Sequence, residues 1–73
     1  MEFSERVKSV RAQLVLSQAE LAELIGVAFA SVNRWENGIR IPTKKKQRAF
    51  YNFCAKQGIY FPDVRVMDLE ERK

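Results

Sequence analysis

The chain has 73 residues, a hydrophobic fraction of 47% and a net charge of +4, which predicts one domain with a single core rather than a disordered polymer. It has no histidine and one cysteine, Cys54, so the usual general bases, nucleophile pairs and transition-metal ligands are missing. An enzyme, an internal disulfide, a metal site and a cofactor are therefore not expected, and Asp63, Asp68, Glu70 and Glu71 lack the loop spacing of a calcium site.

Phe3, Val7, Val10 and Leu14 recur at i, i+4, i+7 and i+11. This predicts an amphipathic first helix over about residues 3–14, with Glu5, Arg6, Lys8 and Ser9 off the apolar stripe. Ser17 and Glu20 have the S-x-x-E spacing of a capping box, so a second helix is expected to start there and run to about Ile25. Leu21, Ala22 and Ile25 would face the core and Glu23 the solvent. Gly26 ends that helix, because glycine takes a left-handed conformation without steric cost, and Val27 packs under the turn.

The third helix, about residues 28–36, places Ala28, Val32 and Trp35 on one face. Asn37-Gly38 closes it, and Ile39 to Pro42 forms a linker. Thr43 is a candidate N-cap for a fourth helix ending at Gly58, with Phe50, Phe53 and Cys54 inside. In the tail, Pro62 is a breaker, Val64 and Val66 alternate like a strand, and Asp68 to Lys73 reads as helical. Its apolar residues mean that it either wraps the domain's own core or pairs with a second copy.

Charge is uneven along the chain. Residues 17–38 carry −2, whereas residues 39–58 hold Arg40, Lys44, Lys45, Lys46, Arg48 and Lys56 and carry +6. Such a block suits a grip on phosphates, although taken alone it favours a solvated lysine cluster that keeps a small domain soluble. No run approaches the ~20 apolar residues of a membrane span, and the first residues lack a signal-peptide layout, so a cytoplasmic protein without a membrane partner is expected.

Residues 17–38, SQAELAELIGVAFASVNRWENG, thus read as two short helices joined by a tight turn, the grammar of a helix-turn-helix. The stretch resembles the phage-repressor and Cro type, the XRE family. Ala22 is the small residue where two helices approach, Gly26 occupies the turn, and Leu21, Ile25, Val27, Val32 and Trp35 fill the buried positions. Trp35-Glu36-Asn37-Gly38 looks like that family's frequent ending. The resemblance covers about residues 5–57.

It implies an all-α fold, a compact four-to-five-helix bundle that binds operator DNA, commonly as a dimer, with a fifth helix or its substitute coming from the tail. Residues 1–58 would form the DNA-binding domain and residues 59–73 a dimerisation segment. The resemblance also implies an ion pair between Arg11 and Glu36.

With Ala28, Val32 and Trp35 inward, the opposite face carries Phe29, Ala30, Asn33, Arg34 and Asn37. Asn33 can meet adenine N6 and N7, Arg34 guanine O6 and N7, and Phe29 and Ala30 thymine methyl groups. These four are the expected base contacts. Gln18, Ser31, Asn37, Arg40, Lys44, Lys45 and Lys46 are the expected phosphate contacts, Ser31 and Asn37 because they match family positions. Plainer readings stay open: Asn33 and Arg34 as solvated positions, Arg34 on a phosphate, Phe29 on a protein partner or the tail. Trp35 reads as core.

The expected function is sequence-specific binding of double-stranded DNA by a transcriptional regulator, as a homodimer that reads the major groove with residues 28–37. The alternatives are a protein-interaction module, such as the antitoxin of a toxin–antitoxin pair, and the DNA-targeting domain of a longer enzyme.

Overall fold

Four α-helices and their connections make up residues 2–64, the part of the chain that a computed structural model describes. They are α1 (Phe3–Leu14), α2 (Gln18–Ile25), α3 (Phe29–Glu36) and α4 (Lys44–Lys56). Helix α3 packs on both α1 and α2, and α2 also touches α4. Among the described residues, no helix is long and apolar enough to cross a membrane.

The helix starts follow local chemistry. Ser17 Oγ accepts from the Glu20 amide at 3.0 Å, and Glu20 Oε1 accepts from the Ser17 amide at 2.8 Å, completing the capping box. Thr43 Oγ1 accepts from the Lys46 amide at 3.3 Å, so α4 begins with three consecutive lysines in its first turn. Helix α3 starts one residue later than its sequence suggests. Ala28 is its N-cap, without a side-chain cap, and is exposed rather than facing the core. An alanine cap leaves no side-chain signal that would mark the boundary.

The helix ends share one geometry. The Gly26 and Val27 amides both return to the Ala22 carbonyl, at 2.8 and 2.9 Å, with Gly26 at φ 89°. Helix α1 closes in the same way on Val15, whose φ is 55° and ψ 54°, the one residue other than glycine with positive φ among those described. Its neighbour Leu16 donates to the Arg11 carbonyl at 2.9 Å. A β-branched side chain in this region is strained.

Val7, Val10, Leu21, Ala22, Val32, Trp35, Phe50, Tyr51 and Cys54 form the buried core. Phe3, itself half-buried, packs against it, edge-on to Trp35, Phe50 and Tyr51 at centroid distances of 5.7, 5.2 and 6.0 Å. This aromatic group sets α3 against α1 and so decides which face of α3 stays outside. Burial pushes the Cys54 thiol up to about 12, so it is packed as a small apolar residue and not as a nucleophile.

Arg6 departs from its expected place off the stripe, being only 8% exposed. It stands three residues after Phe3 and four before Val10, which puts it on the buried face. Its charge is met by distant groups. Nη1 donates to the Tyr51 hydroxyl at 2.9 Å and Nη2 to Asp63 at 2.6 Å, while the guanidinium lies 4.7 Å from the Phe61 ring centre.

That clamp fixes the start of the tail. Ile59, Phe61 and Val64 pack against the same core, and residues 62–63 form a turn. These six residues after Gly58 are therefore continuous with the helical domain, and residues 59–64 add neither a strand nor a fifth helix. The expected strand position of Val66 and the helical reading of Asp68 to Lys73 lie outside the described residues.

Candidate nucleic-acid interface

Helix α3 is amphipathic in a way that separates support from contact. Val32 and Trp35 point into the core, whereas Phe29 (54% exposed), Ala30, Arg34 and Asn37 are exposed and Asn33 is half-buried. The turn through Gly26 and Val27 places the start of α2 beside the middle of α3. Residues 15 positions apart therefore touch, with Asn33 Nδ2 donating to Gln18 Oε1 at 3.2 Å.

Behind this face sits the ion pair between Arg11 and Glu36. Arg11 Nε donates to Glu36 Oε2 at 2.5 Å and Nη2 to Oε1 at 2.9 Å, a bidentate geometry, while Nη1 reaches the Leu16 carbonyl at 3.0 Å. Glu36 is buried, and burial alone would raise its carboxyl pKa. Hydrogen bonds from Arg11 and Gln18, helped by the charges of Arg11 and Lys8, outweigh that and hold it below the usual carboxylate range. The pair ties the C-terminal end of α3 to α1, and Arg11 also reaches the loop before α2, so the exposed face is held from behind at that end.

Gln18 extends the network, with Nε2 donating to Glu36 Oε1 at 2.9 Å, and Asn37 Nδ2 donates to Asn33 Oδ1 at 3.1 Å. Both amides proposed for DNA contact on α2 and mid-α3 are thus already bonded to protein, each with donor and acceptor capacity to spare. The sequence gives no sign of this link, because it depends on how α2 and α3 cross.

Beside the end of α3, a cleft of about 460 Å³ is lined by Ser31, Arg34, Arg40, Thr43 and Lys46, with apolar walls from Ile39 and Ile41. Three cations and two hydroxyls converge there, a composition suited to a phosphate. Ser31 is only 8% exposed and forms part of the cleft wall, so any contact it makes is made inside the cleft and not on the open face. Lys44 and Lys45 are exposed on the first turn of α4 and do not line the cleft.

A family model described as helix-turn-helix matches residues 7–46, more than half of the chain. The chain belongs to this helix-turn-helix family. It is a DNA-binding domain of the Cro and repressor type, and α2, the Gly26 turn and α3 are its motif. No solved structure matches the chain. Within this helix-turn-helix the match ends at Lys46, so the cationic cleft lies at its edge and the Phe61–Asp63 clamp falls beyond it.

Proposed function

We propose that the protein binds double-stranded DNA in a sequence-specific manner and regulates transcription, laying residues 28–37 in the major groove. The carrying observation is the two-sided character of α3. Val32 and Trp35 anchor it, and Phe29, Ala30, Asn33 and Arg34 are left facing outward beside a cleft that gathers Arg34, Arg40 and Lys46. Asn33 and Arg34 supply hydrogen bonds to base edges, and Phe29 and Ala30 supply apolar contact with thymine methyl groups. Gln18, Ser31, Asn37, Arg40 and lysines 44–46 hold the phosphates on either side.

A homodimer would read two half-sites about 34 Å apart, or a multiple of that. Ile39, Ile41 and Tyr60 are exposed apolar residues available to a second copy. The test is selection of bound duplexes from a random pool. A defined, two-fold symmetric sequence is the expected result, and recovery of unselected sequence at every salt concentration would sink the reading.

The exposure of Phe29 favours one other reading, a protein partner docked on α3. Co-purification of a second protein that competes with DNA would decide for it.

A further inference from the structure

The amide chain that runs from Glu36 to the outer face of α3 has a direction. A carboxylate only accepts hydrogen bonds, and Arg11 keeps that of Glu36 ionised. Gln18 must therefore turn Nε2 towards Glu36, which leaves Oε1 for Asn33. Asn33 must answer with Nδ2, which leaves Oδ1 for the Nδ2 of Asn37. The two ends of an amide have nearly the same shape, so an isolated Asn or Gln can present either. Here the orientation of each follows from the one before, and the first follows from an ion pair.

We propose that Arg11 and Glu36 are positioning residues for base recognition, acting through Gln18 to fix which end of the Asn33 amide faces which way at the groove. The inference rests on the reading of Asn33 as a base contact. Asn33 keeps a second hydrogen on Nδ2 and a second lone pair on Oδ1, enough for a bidentate contact with adenine. A locked amide offers donor and acceptor in one order only. A base edge with the opposite order meets donor against donor and acceptor against acceptor. An amide free to turn over would discriminate less.

The same geometry gives Gln18 two tasks. The second hydrogen of its Nε2 is available to a phosphate while the first is held by Glu36. A phosphate seated there would tighten the relay at the moment of binding.

Duplex selection by the wild-type, Gln18→Met, Glu36→Gln and Asn33→Ala chains tests this, with Asn33→Ala marking the base position that Asn33 reads. Gln18→Met keeps the side-chain length and leaves Arg11 paired with Glu36, and a thermal melt checks that its fold is retained. The wild-type preference at the marked position is expected to fall at least about fivefold in Gln18→Met, the lower end of what one bidentate contact supplies, with other positions unchanged. Glu36→Gln puts a group that donates as well as accepts at the head of the relay, and the same loss is expected with Gln18 intact. A folded Gln18→Met chain that keeps the preference overturns the proposal, even if its affinity drops equally on every sequence. Failure of the wild type to select any site, or of Asn33→Ala to mark one, overturns the reading of Asn33 beneath it. That outcome shows before the relay variants are compared.

Discussion

Arg6 donates to Asp63 at 2.6 Å across 57 positions of the chain, with the Phe61 ring stacked beneath the guanidinium. Phe61 also meets Tyr51 edge-on at 5.7 Å, so one aromatic residue of the tail covers both a buried cation and the rim of the core. Phe61→Ala is expected to cost about 2 kcal/mol, lowering the melting temperature by roughly 8–16 °C for a domain of this size. A thermal melt within a degree or two of wild type would mean that the clamp contributes nothing. Removing everything after Gly58 deletes Phe61 and Asp63 together and should destabilise a single copy. Dimerisation is therefore better measured on the full chain, by sedimentation across a concentration series.

Val15 is the next place where a single change should be felt. The left-handed caps of α2, α3 and α4 fall on Gly26, Gly38 and Gly58, whereas α1 closes on a valine that is 86% exposed and gains little from packing. Val15→Asn should relieve about 1 kcal/mol of strain and raise the melting temperature by roughly 4–8 °C. A lower melting temperature in that variant would show that the strain had been misjudged.

Arg34 stands between two roles, exposed on α3 and also part of the cationic cleft. Arg34→Ala is expected to weaken binding to the selected site by about 1–3 kcal/mol and to relax one base position. Titrations against the selected site and against variants at each position distinguish the roles. Equal weakening on all of them would assign Arg34 to phosphate.

Between pH 7 and pH 2 the loss of stability should be confined to the acid end. The hydrogen bond from Arg6 holds the Asp63 carboxyl below its ordinary range, and Glu36 is lowered as well. A depressed carboxyl pKa contributes stability that is complete above the unfolded value, near 4, and is lost as pH falls through the folded value. With no histidine in the chain, side-chain titration leaves pH 5.5–7 flat. Urea midpoints measured from pH 7 to pH 2 should hold level and then fall below about pH 4. A decline that begins near pH 6 would contradict this assignment.

What could be read from the sequence was local. The Phe3–Val7–Val10 stripe, the Ser17–Glu20 box and the Gly26 stop are codes that span a few residues, and the corresponding helices appear where those codes place them. The start of α3 was displaced by one because Ala28 caps without a side-chain bond. Arg6 looked like a surface charge because the groups that make its burial tolerable, Tyr51 and Asp63, are 45 and 57 positions away. On the candidate interface, spacing along α3 separated the outward side chains from Val32 and Trp35. It could not show that Gln18 and Asn33 share a hydrogen bond, since that contact exists only once two helices cross at a particular angle.

The lysines that open α4 have a thermodynamic consequence of their own. Lys44, Lys45 and Lys46 crowd the positive end of a helix dipole, an arrangement that costs roughly 1–2 kcal/mol in the free protein. Added salt screens that repulsion, so the unliganded fold should gain stability as ionic strength rises. The same salt weakens phosphate contacts, by a slope expected to lessen by about 3 when all three lysines are replaced by alanine. Melting temperature and DNA affinity should therefore run in opposite directions along one salt series, and a duplex that neutralises the three ammonium groups would act on α4 as the missing counter-ion.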